Sequence, residues 1–166
     1  GADVIKGESS KGGMDPFRFF GTGEDPNLSP RFLEFNRNKR SFTVNLKHPK
    51  GQGVLHDLVK KSDVVIVNLT DRVQRKLGVD HAALSAVRAD IVHLSLSGFG
   101  LKGARKDFPC YDLIAEGYSS VMDLTGEADS PAQKVGTPAA DLIAGMDSAY
   151  AILAALFDRQ RSGKGH

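Results

Sequence analysis

The sequence predicts an α/β domain in which helices cover a largely parallel sheet. Two observations support this fold class. Short apolar runs of strand length alternate along the chain with stretches in which apolar residues recur at helical spacing, and this alternation is typical of layered α/β proteins. One run, "DVVIVN" at 63–68, is almost continuously apolar, as expected for a parallel strand that is buried on both faces.

Four runs are the candidates for strands. They are "DVI" at 3–5, "SFTVNL" at 41–46, "DVVIVN" at 63–68 and "IVHLSLS" at 91–97. Ligands of open α/β sheets bind beyond the carboxyl ends of the strands. The residues that follow these runs are therefore the first place to look for a functional site.

The stretches between and after the strands predict helices. Residues 49–62 carry an apolar stripe at helical spacing, Asp80 can cap a short helix at 80–87, and residues 111–122 can form another. The longest helix is predicted around 142–157, where apolar residues recur at steps of three and four. The cations and glycines of "DRQRSGKG" predict its C-terminal end.

Three segments lack a sustained period: 7–40, 98–109 and 125–138. The first is rich in Gly, Ser and Pro and also contains five phenylalanines: Phe17, Phe19, Phe20, Phe32 and Phe35. Aromatic residues in this number would make a poor solvated linker. We therefore expect an ordered loop that wraps against the domain.

Composition excludes several classes of protein. The 166 residues are 40% hydrophobic and 25% charged, which is typical of a soluble globular domain. Lys and Arg number 22 against 20 Asp and Glu, a balance that predicts no nucleic-acid partner. Cys110 is the only cysteine, so an internal disulfide is impossible and a reducing compartment is expected.

The termini and the apolar runs lead to further expectations. No continuous run reaches the roughly 20 apolar residues that span a bilayer, so we expect no membrane partner. No signal or transit peptide precedes the first strand, which predicts a cytoplasmic protein, in a bacterial cytosol or in a mitochondrion or peroxisome of a eukaryote. Because "GADVIKGE" opens with Gly1 and enters an apolar run at once, we interpret the chain as a piece of a longer protein.

A glycine motif follows the fourth strand. "SGFGLKG" at 97–103 has the G-x-G-x-x-G spacing of dinucleotide sites. The charged, proline-containing "ARKDFPC" comes next, where a dinucleotide site requires an apolar helix. We therefore expect these glycines to allow tight backbone turns at the carboxyl end of the strand.

Basic residues flank two of the strands. Arg37, Lys39, Arg40 and Lys47 surround the second strand, and "DRVQRK" at 71–76 follows the third. They could form a solvated strand edge, since surface charges contribute little to stability. Alternatively, both clusters flank one sheet edge and bind phosphate groups.

Metal and serine-hydrolase sites are disfavoured. His56, His81, His93 and His166 lack the spacing of metal ligands with Cys, Asp or Glu, so no metal is expected. Ser95 and Ser97 do not form the G-x-S-x-G motif, and no His and Asp partners can be assigned to them.

Asp141 stands at the mouth of the longest helix, after "GTPAA". The simplest interpretation is an N-cap. Small neighbours and Gly145, one turn further on, leave space around the carboxylate, which could then act as a nucleophile or a base. The residues alone leave both roles open.

The ordered set of motifs resembles the class III coenzyme A transferases, a family that includes formyl-CoA and carnitine-CoA transferases and the related α-methylacyl-CoA racemases. The resemblance covers essentially all 166 residues. The motifs that carry it are "GADVIKGE", "NRNKRSFTVNLKHPKG", "DVVIVN", "IVHLSLSGFGLKG", "PCYDLIAEGYSSVMDLTG" and "VGTPAADLIAGMDSAYAILAALFDRQRSGKG".

The resemblance implies a Rossmann-like large domain, with a mostly parallel sheet flanked by helices. It also implies that residues 1–166 are only part of this domain, without its first strand and helix and without the small domain of the family. In the family, two chains interlock as a homodimer. The piece by itself is then expected to be inactive, or nearly so.

The resemblance also assigns the site. Asp141, in a D-x-x-x-G context with Gly145, matches the catalytic aspartate that attacks an acyl-CoA thioester. The substrates are an acyl-CoA and a carboxylic acid, and no prosthetic group is implied. The implied CoA contacts are Val44, Asn45, Leu46, Lys47, Asn68, Leu69, Thr70, Lys76, Leu77, Cys110, Tyr111 and Asp112.

Two departures from the family pattern bear on the reaction. Ser9 and Ser10 stand where formyl-CoA transferases carry two arginines, which leaves an oxalate or formyl substrate unassigned. Tyr111, in "CYD", stands where the racemases have histidine in "GHD". Tyrosine, with a pKa of about 10, is a poor general base near neutrality, which favours the transferase. A racemase or epimerase and a relative that only binds CoA remain as alternatives.

Overall fold

A computed structural model describes residues 1–9, 11, 13–21, 25 and 28–166. They form two compact units, Gly1–Leu55 and His56–His166. The boundary between the units falls within a helix, Pro49–Val59. Ser10, one of the two serines at the departure from formyl-CoA transferases, lies outside the described residues.

The first unit is built on two parallel strands. Its elements, in chain order, are β1 (Val4–Ser9), a short 3-10 helix (Pro16–Phe19), α1 (Pro30–Asn36), β2 (Lys39–Val44) and the start of α2 (Pro49–Val59). β1 and β2 pair in parallel, with Val4 opposite Lys39. Ser29 caps α1, because its Oγ accepts a hydrogen bond from the backbone N–H of Phe32 (3.1 Å).

A buried carboxylate holds the segment between β1 and β2. Glu8 is 5% exposed and accepts two hydrogen bonds from the Arg18 guanidinium, at 2.6 and 2.9 Å. It also accepts one from the backbone N–H of Asp15, at 3.0 Å. The guanidinium carbon lies 4.0 Å from the centroid of the Phe32 ring, and Phe32 is buried. These contacts order the described part of the segment around Phe32, but the other four phenylalanines are exposed, so their expected packing against the domain is not confirmed: Phe17, Phe19, Phe20 and Phe35.

The second unit repeats the strand-helix pattern. Its elements are the end of α2, then β3 (Val64–Val67), α3 (Asp71–Leu77), α4 (His81–Ser85), β4 (Val92–Ser95), α5 (Asp112–Tyr118) and α6 (Ala139–Ser162). β3 and β4 pair in parallel, with Val64 opposite Val92. The apolar core of this unit comprises Val59, Val67, Val79, Leu84, Ile91 and Val92.

The ends of two predicted helices are confirmed. The Asp80 carboxylate caps α4 by accepting hydrogen bonds from the backbone N–H groups of Ala82 (3.1 Å) and Ala83 (3.3 Å). Gly163 ends α6 in the left-handed conformation, with φ of 70°, a conformation that favours glycine. The sequence patterns do not predict α1 or α3 as helices. In α3, "DRVQRK" at 71–76 shows only a cluster of charged residues.

The strands are parallel, as predicted, but the described residues form two separate two-stranded sheets, β1–β2 and β3–β4. The proposed arrangement of both basic clusters on one sheet edge is therefore wrong for the described residues. β2 and β3 belong to different sheets because each pairs with only one other described strand.

α6 presents an uncovered apolar face. None of its residues is buried, and its large exposed apolar side chains are Leu142, Ile143, Met146, Tyr150, Leu153 and Phe157. By length and composition alone α6 is apolar enough to cross a membrane. This differs from the expectation that no stretch of the chain is long and apolar enough to do so. The core helix of a soluble protein passes the same test.

Candidate active site

The chain beyond β4 returns to the end of that strand at Cys110. A Cβ atom added to Gly98 would lie 2.0 Å from the Cβ of Cys110, so a side chain at position 98 would prevent this approach. Gly100 and Gly103 have φ values of 74° and 88°, where glycine is favoured. The motif "SGFGLKG" therefore turns the backbone, as predicted.

Asp112, the first residue of α5, binds the N-terminus of α6. Its Oδ1 accepts hydrogen bonds from the backbone N–H groups of Ala140 (2.9 Å) and Asp141 (3.3 Å). Pro138 occupies the N-cap position of α6 and provides no side-chain hydrogen bond. The acceptor for the first turn of α6 thus comes from a residue 28 positions earlier in the chain.

This arrangement shows that the N-cap interpretation of Asp141 is wrong. Asp141 lies inside the first turn of α6, which begins at Ala139, and its own backbone N–H is one of the capped groups. Because Asp112 supplies the acceptor, the first turn does not need the Asp141 side chain as its cap.

The Asp141 carboxylate lies in surroundings that disfavour its charge. Partial desolvation and, to a lesser degree, the negative charge of Asp112 raise the pKa of Asp141. Burial and the charge of Asp141 likewise raise the pKa of the Cys110 thiol. Among the described residues, no cation forms an ion pair with Asp141. Perturbed carboxylates of this kind are concentrated at functional sites.

Space is available on the Asp141 side of α6. Gly145 lies one helical turn beyond Asp141, and a Cβ atom added to it would meet nothing within 4 Å apart from its chain neighbours and the backbone of its own helix. Tyr111, which precedes α5, is 78% exposed. A substrate could therefore approach the carboxylate without displacing a packed side chain.

The residues that follow β3 are held by a buried amide. Asn68, Leu69 and Thr70 connect β3 to α3. The Nε2 group of Gln74 donates to the Leu69 carbonyl (2.7 Å) and lies 2.5 Å from the Ser95 hydroxyl oxygen. Gln74 is 1% exposed. It therefore fixes this connection against the end of β4.

α3 carries the next two predicted CoA contacts. Lys76 is exposed and Leu77, the last helical residue, is partly buried. The neighbouring Arg75 guanidinium binds the Asp71 carboxylate (3.0 Å), which also accepts a hydrogen bond from Nζ of Lys106 (3.0 Å). Arg75 is thus committed to a structural ion pair, whereas Lys76 is directed to solvent.

The predicted CoA contacts of the first unit lie at the end of β2. Val44 is the last residue of this strand, and 45–47 follow it. The Asn45 side-chain oxygen accepts a hydrogen bond from the backbone N–H of Lys47 (3.1 Å), and Nε2 of Gln52 donates to the Leu46 carbonyl (2.5 Å). These bonds fix the turn and leave the Lys47 side chain exposed.

Within the second unit, the structure places the predicted site residues in two groups. Cys110, Asp112 and Asp141 form one group at the start of α6, and Asn68, Leu69 and Thr70 share the β3–α3 connection with the α3 residues Lys76 and Leu77. Val44, Asn45, Leu46 and Lys47 belong to the other unit.

Three buried polar residues of the second unit were not predicted from the sequence: Asp71, Gln74 and Glu116. The spacing of Asp71 and Gln74, three residues apart, places them on one face of a helix. That spacing could have identified them if "DRVQRK" had been recognised as helical. Glu116 lies one turn beyond Asp112 in α5, and no local pattern distinguishes it from an exposed glutamate.

Comparison with known proteins points to one family. The profile of a family described as "CoA-transferase family III" matches residues 1–166. A succinate–glutarate CoA-transferase of Agrobacterium fabrum is 40% identical over 99% of this chain and 42% of its own length. A succinyl-CoA:glutarate CoA-transferase of Mus musculus is 33% identical over 99% of this chain and 38% of its own length.

A solved structure agrees with these sequence matches. The crystal structure of a CAIB/BAIF family protein from Brucella suis superposes with a TM-score of 0.91, at 36% identity, over 100% of this chain and 44% of that one. The chain thus spans about two fifths of the length of the curated relatives it matches, 42% and 38% for the two named above.

Proposed function

Because this chain belongs to CoA-transferase family III, we propose that it forms the large-domain part of an enzyme that moves coenzyme A between an acyl-CoA and a carboxylic acid. Asp141 is the proposed nucleophile. The observation that carries this role is an exposed carboxylate with a raised pKa and no cation partner among the described residues, beside open space at Gly145. The more basic a carboxylate is, the better it attacks a carbonyl carbon.

The first half of the reaction moves CoA from the donor acid to the enzyme. An oxygen of the Asp141 carboxylate attacks the thioester carbonyl, the C–S bond breaks, and CoA leaves as the thiolate. The product is a mixed anhydride between Asp141 and the acyl group. The thiolate then attacks the Asp141 carbonyl carbon, so that the donor acid leaves as a carboxylate and CoA is held as an aspartyl thioester.

The second half repeats these steps with the acceptor. Its carboxylate attacks the aspartyl thioester and releases CoA thiolate, and the thiolate attacks the acceptor carbonyl of the new anhydride. The new acyl-CoA forms, and Asp141 returns as a free carboxylate. Covalent catalysis of this kind divides one difficult exchange into easier steps.

The CoA contacts follow from the same proposal. Lys47 and Lys76, both exposed, bind the nucleotide phosphates or stack on the adenine, and Asn68 provides a polar contact. The backbone N–H groups of Ala140 and Asp141 already donate to Asp112. The donors that stabilise the oxyanion of each tetrahedral intermediate therefore come from elsewhere in the full-length enzyme.

The wider assembly is part of the proposal. The uncovered apolar face of α6 supports a full-length protein in which further residues cover this helix, since exposed patches of this kind mark interaction surfaces. We extend the proposal to an interlocked homodimer in the cytoplasm, with no prosthetic group. The 166 residues alone are then inactive, or nearly so.

Mass spectrometry of the full-length protein tests the nucleophile. After incubation with a panel of acyl-CoAs, beginning with succinyl-CoA because the relatives' names contain it, hydroxylamine trapping and peptide mapping should place a modification on Asp141. No adduct with any donor, combined with exchange of an α-deuterium on an acyl-CoA, would instead indicate a racemase. Binding of CoA with neither reaction would indicate a protein that only binds CoA.

A further inference from the structure

We propose that Asp112 and Glu116 of α5 are positioning residues, whose carboxylates hold the backbone that carries Asp141, and that Asp112 acts on the nucleophile and not on CoA. The inference rests on the proposed function of Asp141. It replaces the role of Asp112 as a CoA contact, which the family resemblance implied.

Asp112 acts at the C-terminal end of residues 135–141, the segment that leads into α6 and forms its first residues. Its Oδ1 accepts hydrogen bonds from the backbone N–H groups of both Ala140 and Asp141. A carboxylate that accepts backbone N–H groups at the start of a helix also stabilises the positive end of the helix dipole. The first turn, and with it the Cα atom of Asp141, is therefore fixed relative to α5.

Glu116 acts at the far end of the same segment. It is 1% exposed, and its Oε2 accepts a hydrogen bond from the backbone N–H of Val135 (3.0 Å). Its Oε1 is buried and has no partner among the described residues. Burying a carboxylate with so few partners is costly. The hydrogen bond from Val135 offsets part of that cost, and it is made only when residue 135 lies beside α5.

The two carboxylates share one face of α5. Asp112 and Glu116 are four residues apart, which places them one above the other on a helix. Together they bind both ends of residues 135–141 through backbone N–H groups. Backbone contacts fix the path of this segment whatever its side chains are, so α5 serves as the support on which Asp141 is placed.

Asp112 also affects the ionisation of Asp141. The titratable groups that interact with Asp141 are Asp112 of α5 and the Cys110 thiol that precedes α5. The negative charge of Asp112 opposes ionisation of Asp141. Removing this charge, while keeping an oxygen acceptor, should let Asp141 ionise at lower pH.

The test uses the full-length enzyme with Asp112→Ala, Asp112→Asn and, as the matched control, Asp123→Asn in the exposed turn after α5. Asp112→Ala should lower kcat about 100-fold, the order expected for a misplaced reacting group, with KM for the acyl-CoA nearly unchanged. Asp112→Asn should restore most of kcat, because its amide oxygen still accepts the two N–H groups. It should also move the acidic limb of the pH profile of kcat/KM to lower pH.

Three results would overturn the proposal. One is a raised KM for the acyl-CoA with unchanged kcat in both Asp112 variants, which would make Asp112 a CoA ligand. The second is wild-type kinetics in Asp112→Ala. The third is an unshifted acidic limb in Asp112→Asn, which decides the question even if Asp112→Ala does not fold.

Hydrogen exchange separates this proposal from the proposed function. The amides of Ala140 and Asp141 should be protected in the wild-type protein and in Asp112→Asn, and should exchange faster in Asp112→Ala. The amide of Val135 should respond in the same way to Glu116→Ala and be preserved in Glu116→Gln. These measurements need no turnover, so they support or overturn the positioning role even if the enzyme proves not to be a CoA-transferase.

Discussion

The surroundings of Glu8 in the first unit lower the pKa of its carboxyl group, whereas those of Asp141 in the second unit raise it. Glu8 is buried, and its carboxylate is occupied by the Arg18 guanidinium and a backbone N–H. The hydrogen bonds from Arg18 lower the pKa of Glu8 from 4.5 to about 2. Asp141 is exposed, and desolvation and Asp112 raise its pKa.

This difference separates a structural carboxylate from a chemically available one. Every contact of Glu8 stabilises its charge and ties one part of the chain to another. The contacts around Asp141 fix its backbone and leave its oxygens without a cation among the described residues. Burial alone would single out Glu8, whereas a raised pKa singles out Asp141, the proposed nucleophile.

The largest effect is expected at Asp141. In the full-length protein, Asp141→Asn should lower the rate of CoA transfer by about 10³-fold or more, since removal of a covalent nucleophile abolishes the pathway. Steady-state kinetics with acyl-CoA donor and acid acceptor would measure this loss. Asp147→Asn, at an exposed position further along α6, is the control and should retain activity. Equal activity in the two variants would remove Asp141 from the mechanism.

Substitution of Glu8 is expected to lower the stability of the fold and not the catalytic rate. Glu8→Gln should lower the free energy of unfolding by about 3 kcal/mol, because it leaves the Arg18 guanidinium without its charged partner. Urea denaturation monitors this change. The control is Asp3→Asn, whose pair with Arg40 is exposed on both sides and should contribute less than about 1 kcal/mol. Similar losses in both variants would show that the burial of Glu8 does not matter.

The smallest effect is the pH dependence of that stability. The pKa of Glu8 is lowered from 4.5 to about 2 in the folded protein, so below pH 4.5 the unfolded state binds the proton more readily. The stabilisation by Glu8 is complete above that pH and is lost as the pH falls through about 2. For Asp141, whose folded pKa is raised, the sign is reversed. The ionised carboxylate lowers the free energy of unfolding, and protonation at low pH removes this destabilisation.

Unfolding curves over this pH range would check the dependence. The difference in free energy of unfolding between wild type and Glu8→Gln should narrow toward low pH. A constant difference from neutral pH to pH 2 would show that the charge of Glu8 contributes nothing to its role.

Local chemistry allowed part of this fold to be predicted. Apolar runs of strand length indicated the four strands, and a carboxylate beside a helix start identified the Asp80 cap. Each of these features involves residues within a few positions of one another. The same kind of argument failed at α3, where a polar sequence concealed the buried face of Asp71 and Gln74.

The remaining features depend on contacts between distant residues. The cap of α6 comes from Asp112, and the hydroxyl that binds Gln74 belongs to Ser95, 21 positions away. No rule of spacing connects such pairs. The role of Asp141 was therefore ambiguous from its neighbours, and only the family resemblance favoured a catalyst over a cap.

Cys110 is the only thiol of the chain, and it lies beside the end of β4, where Gly98 makes room for it. Its acidity depends in part on the charge of Asp141. Thiol reagents react with the thiolate form, so the alkylation rate at Cys110 varies with the charge on the neighbouring carboxylate. The negative charge of Asp141 therefore slows alkylation of Cys110 by disfavouring its thiolate, and Asp141→Asn should speed it.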